Sequence, residues 1–448
     1  MRTIDLRATH LTPTRLREVL PRAEVDATAA LETVDPIIEQ VRLEGASSLF
    51  ELAERFDKVR PQSLRVPKTV ITEAEKTLSP EVRAGLEEAI RRARLAHAAQ
   101  LPTEKITEVA PGGTVHQRWV AVNRVGLYVP GGLAVYPSSV VMNVVPAQTA
   151  GVGSLAVASP PQVDNNGWPH PTVLAACSLL EIEEVYAVGG AQAIGMFAHG
   201  VSTHDGSGQE VEENSCQPVD VVTGPGNIYV AAAKRAVQGL VGIDSEAGTT
   251  EILVLADDSA HPAWVAADLI SQAEHDPAAA SVLVTASPEL VQAVLEEIQR
   301  QVAQAHHRQR ITTALGGPQS GIVIVDDMRA GVNVVNAYAP EHLEIQTADA
   351  HEVASQVTNA GAVFIGPYSP VPLGDYVSGS NHVLPTGGTA RFASGLGVGA
   401  YLKSMQVVEY NAAALNDVAD HLVALAQAED LPAHGTAATL RTQGGEDG

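Results

Sequence analysis

The run Glu251-Ile-Leu-Val-Leu-Ala256 decides the fold class. It is almost wholly apolar, with no polar alternation, which suits a strand covered on both faces, the habit of parallel sheets. Beyond it, residues 262–275 carry apolar positions at helical spacing, and 281–285 is a second short β-rich run. The same rhythm extends in both directions. Strands are expected over 155–158, 184–188, 219–222, 251–256, 281–285, 321–325 and 362–365. Helices are expected between them, over 172–180, 191–198, 228–240, 262–275, 288–305 and 351–359. Strand–helix alternation of this kind predicts an α/β fold with parallel sheets, here in two blocks of about 115–240 and 245–380.

The flanks read differently. The first 110 residues are mainly helical in pattern. Ser79-Pro80-Glu81 is a helix start, since serine caps, proline suits the first turn and glutamate the positive end of the dipole. Val82, Leu86, Ala89, Ile90 and Ala93 then mark one apolar face. Segments 161–170 and 202–217, the latter acidic, read as surface loops. The last 60 residues return to helix, and residues 442–448 are expected to be a disordered tail.

Composition narrows the function. A hydrophobic share of 45% with 18% charged residues supplies a full core over 448 residues. Aromatics are only 4%, so that core is mostly Val, Ala, Leu and Ile. A formal charge of −24 repels phosphate backbones, which argues against nucleic acid and anionic membranes as partners. Cys177 and Cys216 are too few for a disulfide framework, so a reducing, cytoplasmic compartment is expected. Cys177 lies in an apolar helical pattern and reads as a core thiol. The first residues lack a basic-then-apolar signal pattern, and no apolar run is long enough to span a bilayer.

Polar residues gather at a few places. Val188-Gly-Gly-Ala-Gln-Ala-Ile-Gly195 and Thr223-Gly-Pro-Gly-Asn227 follow strands and open helices. Such turns either hold a ligand's phosphates on bare amides or are ordinary connections, and neither matches Gly-x-Gly-x-x-Gly. Gly126-Leu-Tyr-Val-Pro-Gly-Gly132 reads as a third loop with a tyrosine beside flexible backbone. Gln272 and His275 share a helix face, as a metal half-site or as a histidine partnering the helix dipole. Ala339-Pro-Glu-His342 reads as a turn, either merely exposed or sending a carboxylate and an imidazole into one pocket as two proton acceptors. Gly374-Asp-Tyr-Val-Ser-Gly-Ser-Asn-His-Val-Leu-Pro385 sets Asp375, Asn381 and His382 between glycines. Glu429 and His434 stand in the C-terminal helical region.

These blocks, in this order, resemble the histidinol dehydrogenase family from about residue 10 to 441. The resemblance implies two Rossmann-like parallel-sheet domains with helical N- and C-terminal segments, in an intertwined dimer. The implied division is 1–25 as an N-terminal helical segment, 26–127 with 245–388 as the first Rossmann-like domain carrying metal and catalytic residues, 128–244 as the second carrying the NAD loops, and 389–441 as a helical tail crossing to the partner. It implies a cytoplasmic homodimer that oxidises L-histidinol to L-histidine through L-histidinal, the last steps of histidine synthesis. Two NAD serve as hydride acceptors, with one Zn2+ per subunit.

Residue by residue, the implied zinc ligands are Gln272, His275, Asp375 and His434, the last lent by the partner subunit. The implied proton handlers are His342, for the hydroxyl proton, and Glu341, for the water that hydrates the aldehyde. NAD contacts carried over are Tyr128, Gln192 and Asn227. Substrate contacts are Thr250 and Glu429 besides the metal ligands and His342, with His382 a further candidate. One departure stands out: the family's Gly-Pro-Ser/Thr-Glu is here Gly248-Thr-Thr-Glu251, which loosens that loop. The alternative is an NAD-dependent dehydrogenase on the same scaffold acting on another small alcohol, such as a sulfonated diol. Glu429 with His434 favours histidinol, because a carboxylate suits an ammonium group.

Overall fold

Among the described residues the computed structural model has strands β1 (Arg2–Asp5), β2 (Lys105–Ala110), β3 (Gly113–Ala121), β4 (Arg124–Tyr128), β5 (Ser154–Ser159), β6 (Val185–Ala187), β7 (Val221–Thr223) and β8 (Gly242–Ile243). They continue with β9 (Glu251–Ala256), β10 (Ala280–Thr285), β11 (Gly321–Ile324), β12 (His342–Gln346), β13 (Ala362–Ile365) and β14 (Leu402–Tyr410). The residues described are 1–9, 12–23, 27–131, 135–204, 207, 209, 211–245 and 248–443. They fall into two units: Met1–Gln100 with Val122–Tyr401, and Leu101–Ala121 with the chain from Leu402 onward.

The first unit holds two sheets, both parallel throughout. One runs β1-β11-β10-β9-β12-β13, the other β6-β5-β4-β7-β8. Each is doubly wound: apart from the N-terminal edge strand β1, the chain starts at a central strand, β9 or β4, lays strands to one side, then returns to lay β12 or β7 on the other. The switch points therefore lie between β9 and β12 and between β4 and β7, where ligand crevices form in open α/β sheets. The run 251–256 is buried at every position, as its composition requires. Its residues alternate between two clusters: Ile252, Val254 and Ala256 pack with Val265 and Leu269, while Leu253 and Leu255 pack with Val335 and Tyr338.

Several expectations are corrected. Residues 124–128, read in part as a glycine loop, are the central strand β4; Gly126 is there because a Cβ would lie 2.5 Å from the Phe197 ring. Residue 342, read in a turn, opens strand β12. The segment 1–25 is not only helical, since β1 pairs with β11 at the sheet edge before the helix Pro13–Val19. Helices Ala27–Glu44 and Ala46–Phe56, expected with the six-stranded sheet, send Val34, Ile38, Val41, Leu49 and Leu52 into one cluster with Ile194, Phe197 and Val222 and so cover the five-stranded one. The helix Pro80–Ala98 begins as expected, with Ser79 accepting from the Val82 amide; Leu86, Ala89, Ile90 and Ala93 are buried and Val82 is exposed. The acidic segment 202–217 is closed at its base by paired Val201 and Cys216.

The second unit, taken by itself, is the antiparallel sheet β14-β3-β2 with helices Ala412–Ala428 and Pro432–Gln443. Strand β14 corrects the expectation of a helical tail over 389–441; its side chains are almost all exposed, so it shows none of the alternation that announces a strand. Residues 442 and 443 end the last helix, and the rest of the expected tail, 444–448, lies outside the described residues. No helix among the described residues is long and apolar enough to cross a membrane.

Candidate active site

The starts of β9 and β12 lie side by side, and the polar residues collect there. The helix Met328–Tyr338 stops at Ala339, whose φ of 52° is left-handed, and Pro340 blocks its continuation. The chain then delivers Glu341 and His342 into the edge of the sheet, both 5% exposed. Glu341 Oε2 accepts from the Thr250 hydroxyl (2.6 Å) and the Glu251 amide (2.8 Å). Burial drives its carboxyl up to about 8, against those two hydrogen bonds. The His342 ring sits 3.5 Å away and its Nδ1 meets the Glu251 carbonyl at 3.1 Å. A carbonyl only accepts, so Nδ1 carries the proton and Nε2 the lone pair. Burial lowers the imidazole below its usual range, so the ring is neutral at pH 7 and ready to accept.

Helical spacing brings Gln272 and His275 to the same place. Gln272 Nε2 donates to Thr250 Oγ1 (2.6 Å), which leaves its carbonyl oxygen for a cation. His275 follows the helix Pro262–Ala273, and its Nε2 lies 4.0 Å from Asp375 Oδ2, convergent yet too far for a hydrogen bond. Burial holds His275 below the usual histidine range as well. His382 supports Asp375 from behind: its Nδ1 donates to the Asp375 carbonyl (3.1 Å) and its Nε2 meets Ser139 Oγ (3.1 Å). Thr250, Gln272, His275, Glu341, His342 and Asp375 are thus brought together. Glu429 and His434 are exposed residues of the second unit. Among the described residues no three His, Cys, Asp or Glu side chains group as a metal site, so the first unit supplies only part of the expected ligand set.

The NAD candidates gather at the switch point of the five-stranded sheet. Tyr128 ends β4, is buried, and its hydroxyl oxygen accepts from the Gly190 amide (3.0 Å). Gln192, also buried, lies in the first turn of the helix Gly190–His199. Asn227 caps the helix Ile228–Val237, accepting from the Tyr229 and Val230 amides. Gly224 has φ of 125°, and a Cβ there would meet the Tyr128 carbonyl at 2.1 Å, so the two turns press backbone to backbone. Gly132 of the first glycine stretch lies outside the described residues.

The sequence reading missed several residues of this region. Glu251 is buried, burial pushes its carboxyl up to about 7, and it touches both Glu341 and His342 through its main chain. Its signal was one acid opening an otherwise apolar run. Asp268 and Glu344 are also buried and adjacent, each raised by burial, with Glu344 two residues after His342 on the same strand face and Asp268 one turn before Gln272. Strand β12 is buried at every position, so its polar residues His342, Glu344 and Gln346 lie inside the protein.

The first unit combines glycine turns at the β4/β7 switch point with a buried, uncharged imidazole, parts suited to taking hydride and proton from a small substrate. The class so defined is that of the α/β oxidoreductases. A family profile described as histidinol dehydrogenase matches residues 20–442. The chain is 63% identical over 438 residues to the histidinol dehydrogenase of Thermobifida fusca (strain YX), covering 98% of this chain and 97% of that protein. It is 60% identical over 438 residues to that of Nocardia farcinica (strain IFM 10152), with coverage of 98% and 97%. A crystal structure of histidinol dehydrogenase from Elizabethkingia anophelis superposes with a TM-score of 0.90 at 31% identity, covering 99% of this chain and 98% of that one. The chain belongs to the histidinol dehydrogenase family.

Proposed function

We propose that this enzyme oxidises L-histidinol to L-histidine through the aldehyde, with NAD as hydride acceptor, completing histidine synthesis. The observation that carries the reading is the His342 tautomer: Nδ1 tied to the Glu251 carbonyl, Nε2 free and unprotonated, beside a carboxyl that burial keeps protonated near neutrality. His342 Nε2 takes the proton of the substrate hydroxyl as the carbinol hydride departs. Glu341 in its deprotonated form, which dominates above about pH 8, takes a proton from the water that adds to the aldehyde. The hydrate then loses a second hydride and its hydroxyl proton, giving the carboxylic acid. Keeping both oxidations in one buried place retains the reactive aldehyde. Bound nicotinamide supplies the hydride-accepting carbon at both stages, and Tyr128, Gln192 and Asn227 are the residues we assign to holding it.

The donor set fits a borderline metal. An amide oxygen, an imidazole and a carboxylate converge without bonding one another. We assign Gln272, His275 and Asp375 to zinc, with His434 of the partner subunit as the fourth ligand and Glu429 of the partner subunit toward the substrate's ammonium group. Bound there, zinc would fix the substrate's imidazole and amino nitrogens. The second unit supports the dimer: Ile106, Val109, Val408, Leu425 and Leu440 are all more than half exposed, more apolar surface than so small a unit leaves to water by itself. Unpaired, buried Cys177 and Cys216 support a reducing, cytoplasmic setting.

The test is stoichiometry. Two NADH are expected per histidinol consumed, lost on chelation and restored by Zn2+. One NADH per histidinol with free aldehyde accumulating would sink the two-step reading.

A further inference from the structure

We propose that Glu251 is the positioning residue of the Glu341–His342 pair: its main chain holds both, and its carboxylate is itself held by Arg22 and Tyr338. The inference rests on the reading of that pair as the proton handlers. Glu251 gives its amide to Glu341 Oε2 (2.8 Å) and its carbonyl to His342 Nδ1 (3.1 Å), so a single peptide segment sets the carboxylate's place and the imidazole's tautomer. The strand's alternation turns its side chain the other way. Thr250 points to Gln272, whereas Glu251 points to the layer of Leu253 and Leu255.

There the Tyr338 hydroxyl donates to Glu251 Oε2 (3.2 Å) and Arg22 Nη2 approaches Oε1 (3.5 Å). Arg22 is fixed in turn. Its guanidinium lies 4.0 Å from the centroid of the Tyr338 ring and donates to the Tyr338 carbonyl. Gly388 makes room for it; a Cβ there would stand 2.2 Å from Arg22 Nη1. Every other residue of β9 is apolar, and Glu251 is 2% exposed beside a second buried carboxyl. Burying two acids together costs stability that a leucine would not, so the arrangement calls for a purpose other than packing.

The experiment uses the full-length zinc-loaded enzyme. Arg22→Met is expected to lower kcat for histidinol about ten- to a hundredfold, the scale of a slightly misplaced reacting group. KM for histidinol and NAD should stay within about twofold, because neither is touched. Arg22→Lys should recover part of the loss. In a double-mutant cycle, Glu251→Gln with Arg22→Met should be no slower than Glu251→Gln alone. Should Arg22→Met not fold, Tyr338→Phe removes one donor to Glu251, and its kcat is read in the same way. A folded Arg22→Met or Tyr338→Phe enzyme with parental kcat overturns the inference, as do losses that multiply in the double variant. His342→Asn is the control: full activity in that variant would mean that the proton-handler reading had failed instead.

Discussion

The two parallel sheets of the first unit share a topology and, on the function proposed above, use opposite ends of their strands. The five-stranded sheet works at the C-terminal ends of β4, β6 and β7, where Tyr128, Gly190 and Gly224 converge. What it offers there is mostly backbone, and even the bracing serves backbone: Lys234 Nζ donates to the Gly224 carbonyl (2.9 Å) and Asp244 Oδ1 (2.6 Å), while the Gly224 amide donates to Asp244 Oδ2 (2.9 Å). The six-stranded sheet works at the N-terminal starts of β9 and β12, with Thr250, Glu341 and His342. It offers titratable side chains whose pKa values burial has moved. Glycine turns that press backbone to backbone let a ligand approach the main chain closely, whereas proton transfer needs groups that burial and hydrogen bonds can tune. On that reading one topology serves two kinds of chemistry, according to which end of the strands is used.

The largest test of this division is at the N-terminal edge. His342→Asn is expected to lower kcat by roughly 10²- to 10⁴-fold, the usual worth of a general base, in steady-state assays with histidinol. Glu341→Gln should fall nearly as far with the aldehyde as substrate and less with the alcohol. Stability carries a second signature. The folded chain binds the Glu341 proton more tightly than the unfolded chain, so between the ordinary glutamate range and about 8 rising pH destabilises it. Glu341→Gln has no such proton to lose. Its melting temperature should gain on the parent's from pH 5 to 8 and hold level above. A constant difference would mean that Glu341 is ionised throughout.

At the C-terminal edge of the other sheet a smaller and different loss is expected. Gly224→Ala forces a side chain into a positive φ and against the Tyr128 carbonyl. It should cost about 1–3 kcal/mol in denaturant unfolding and raise KM for NAD about tenfold, leaving KM for histidinol nearly unchanged. A rise in both KM values would blur the division between the sheets.

The sequence announced these two regions unequally. The apolar runs 251–256 and 281–285 were legible because both faces are covered, and polar blocks such as 374–385 stood out against them. Strands β4 and β12 were not, because Gly126 and Pro340 read as loop signals, while their roles are to admit the Phe197 ring and to end a helix. Of the site, the side chains could be named from motifs. The tautomer of His342, the lift of Glu341 and the Arg22–Tyr338 support depend on contacts 91 and 316 residues apart along the chain, which no local pattern encodes.

The smallest effect sharpens the comparison most. The six-stranded sheet has its own switch point, between the C-terminal ends of β9 and β12, and it is drawn shut. The Asp257 amide donates to the Gln346 carbonyl (3.2 Å), Asp257 Oδ2 accepts from the Ala348 amide (3.0 Å), and Oδ1 accepts from the Ser259 amide (3.0 Å) and hydroxyl (2.5 Å). One carboxylate thus takes up the Ala348 and Ser259 amides at this crevice. Asp257→Ala should therefore cost only about 1–2 kcal/mol of stability, the worth of the lost hydrogen bonds at a partly exposed turn. Neither kcat nor either KM should change. A selective effect on NAD affinity would mean that the closed end also serves the cofactor, and the assignment of one edge to each sheet would fall.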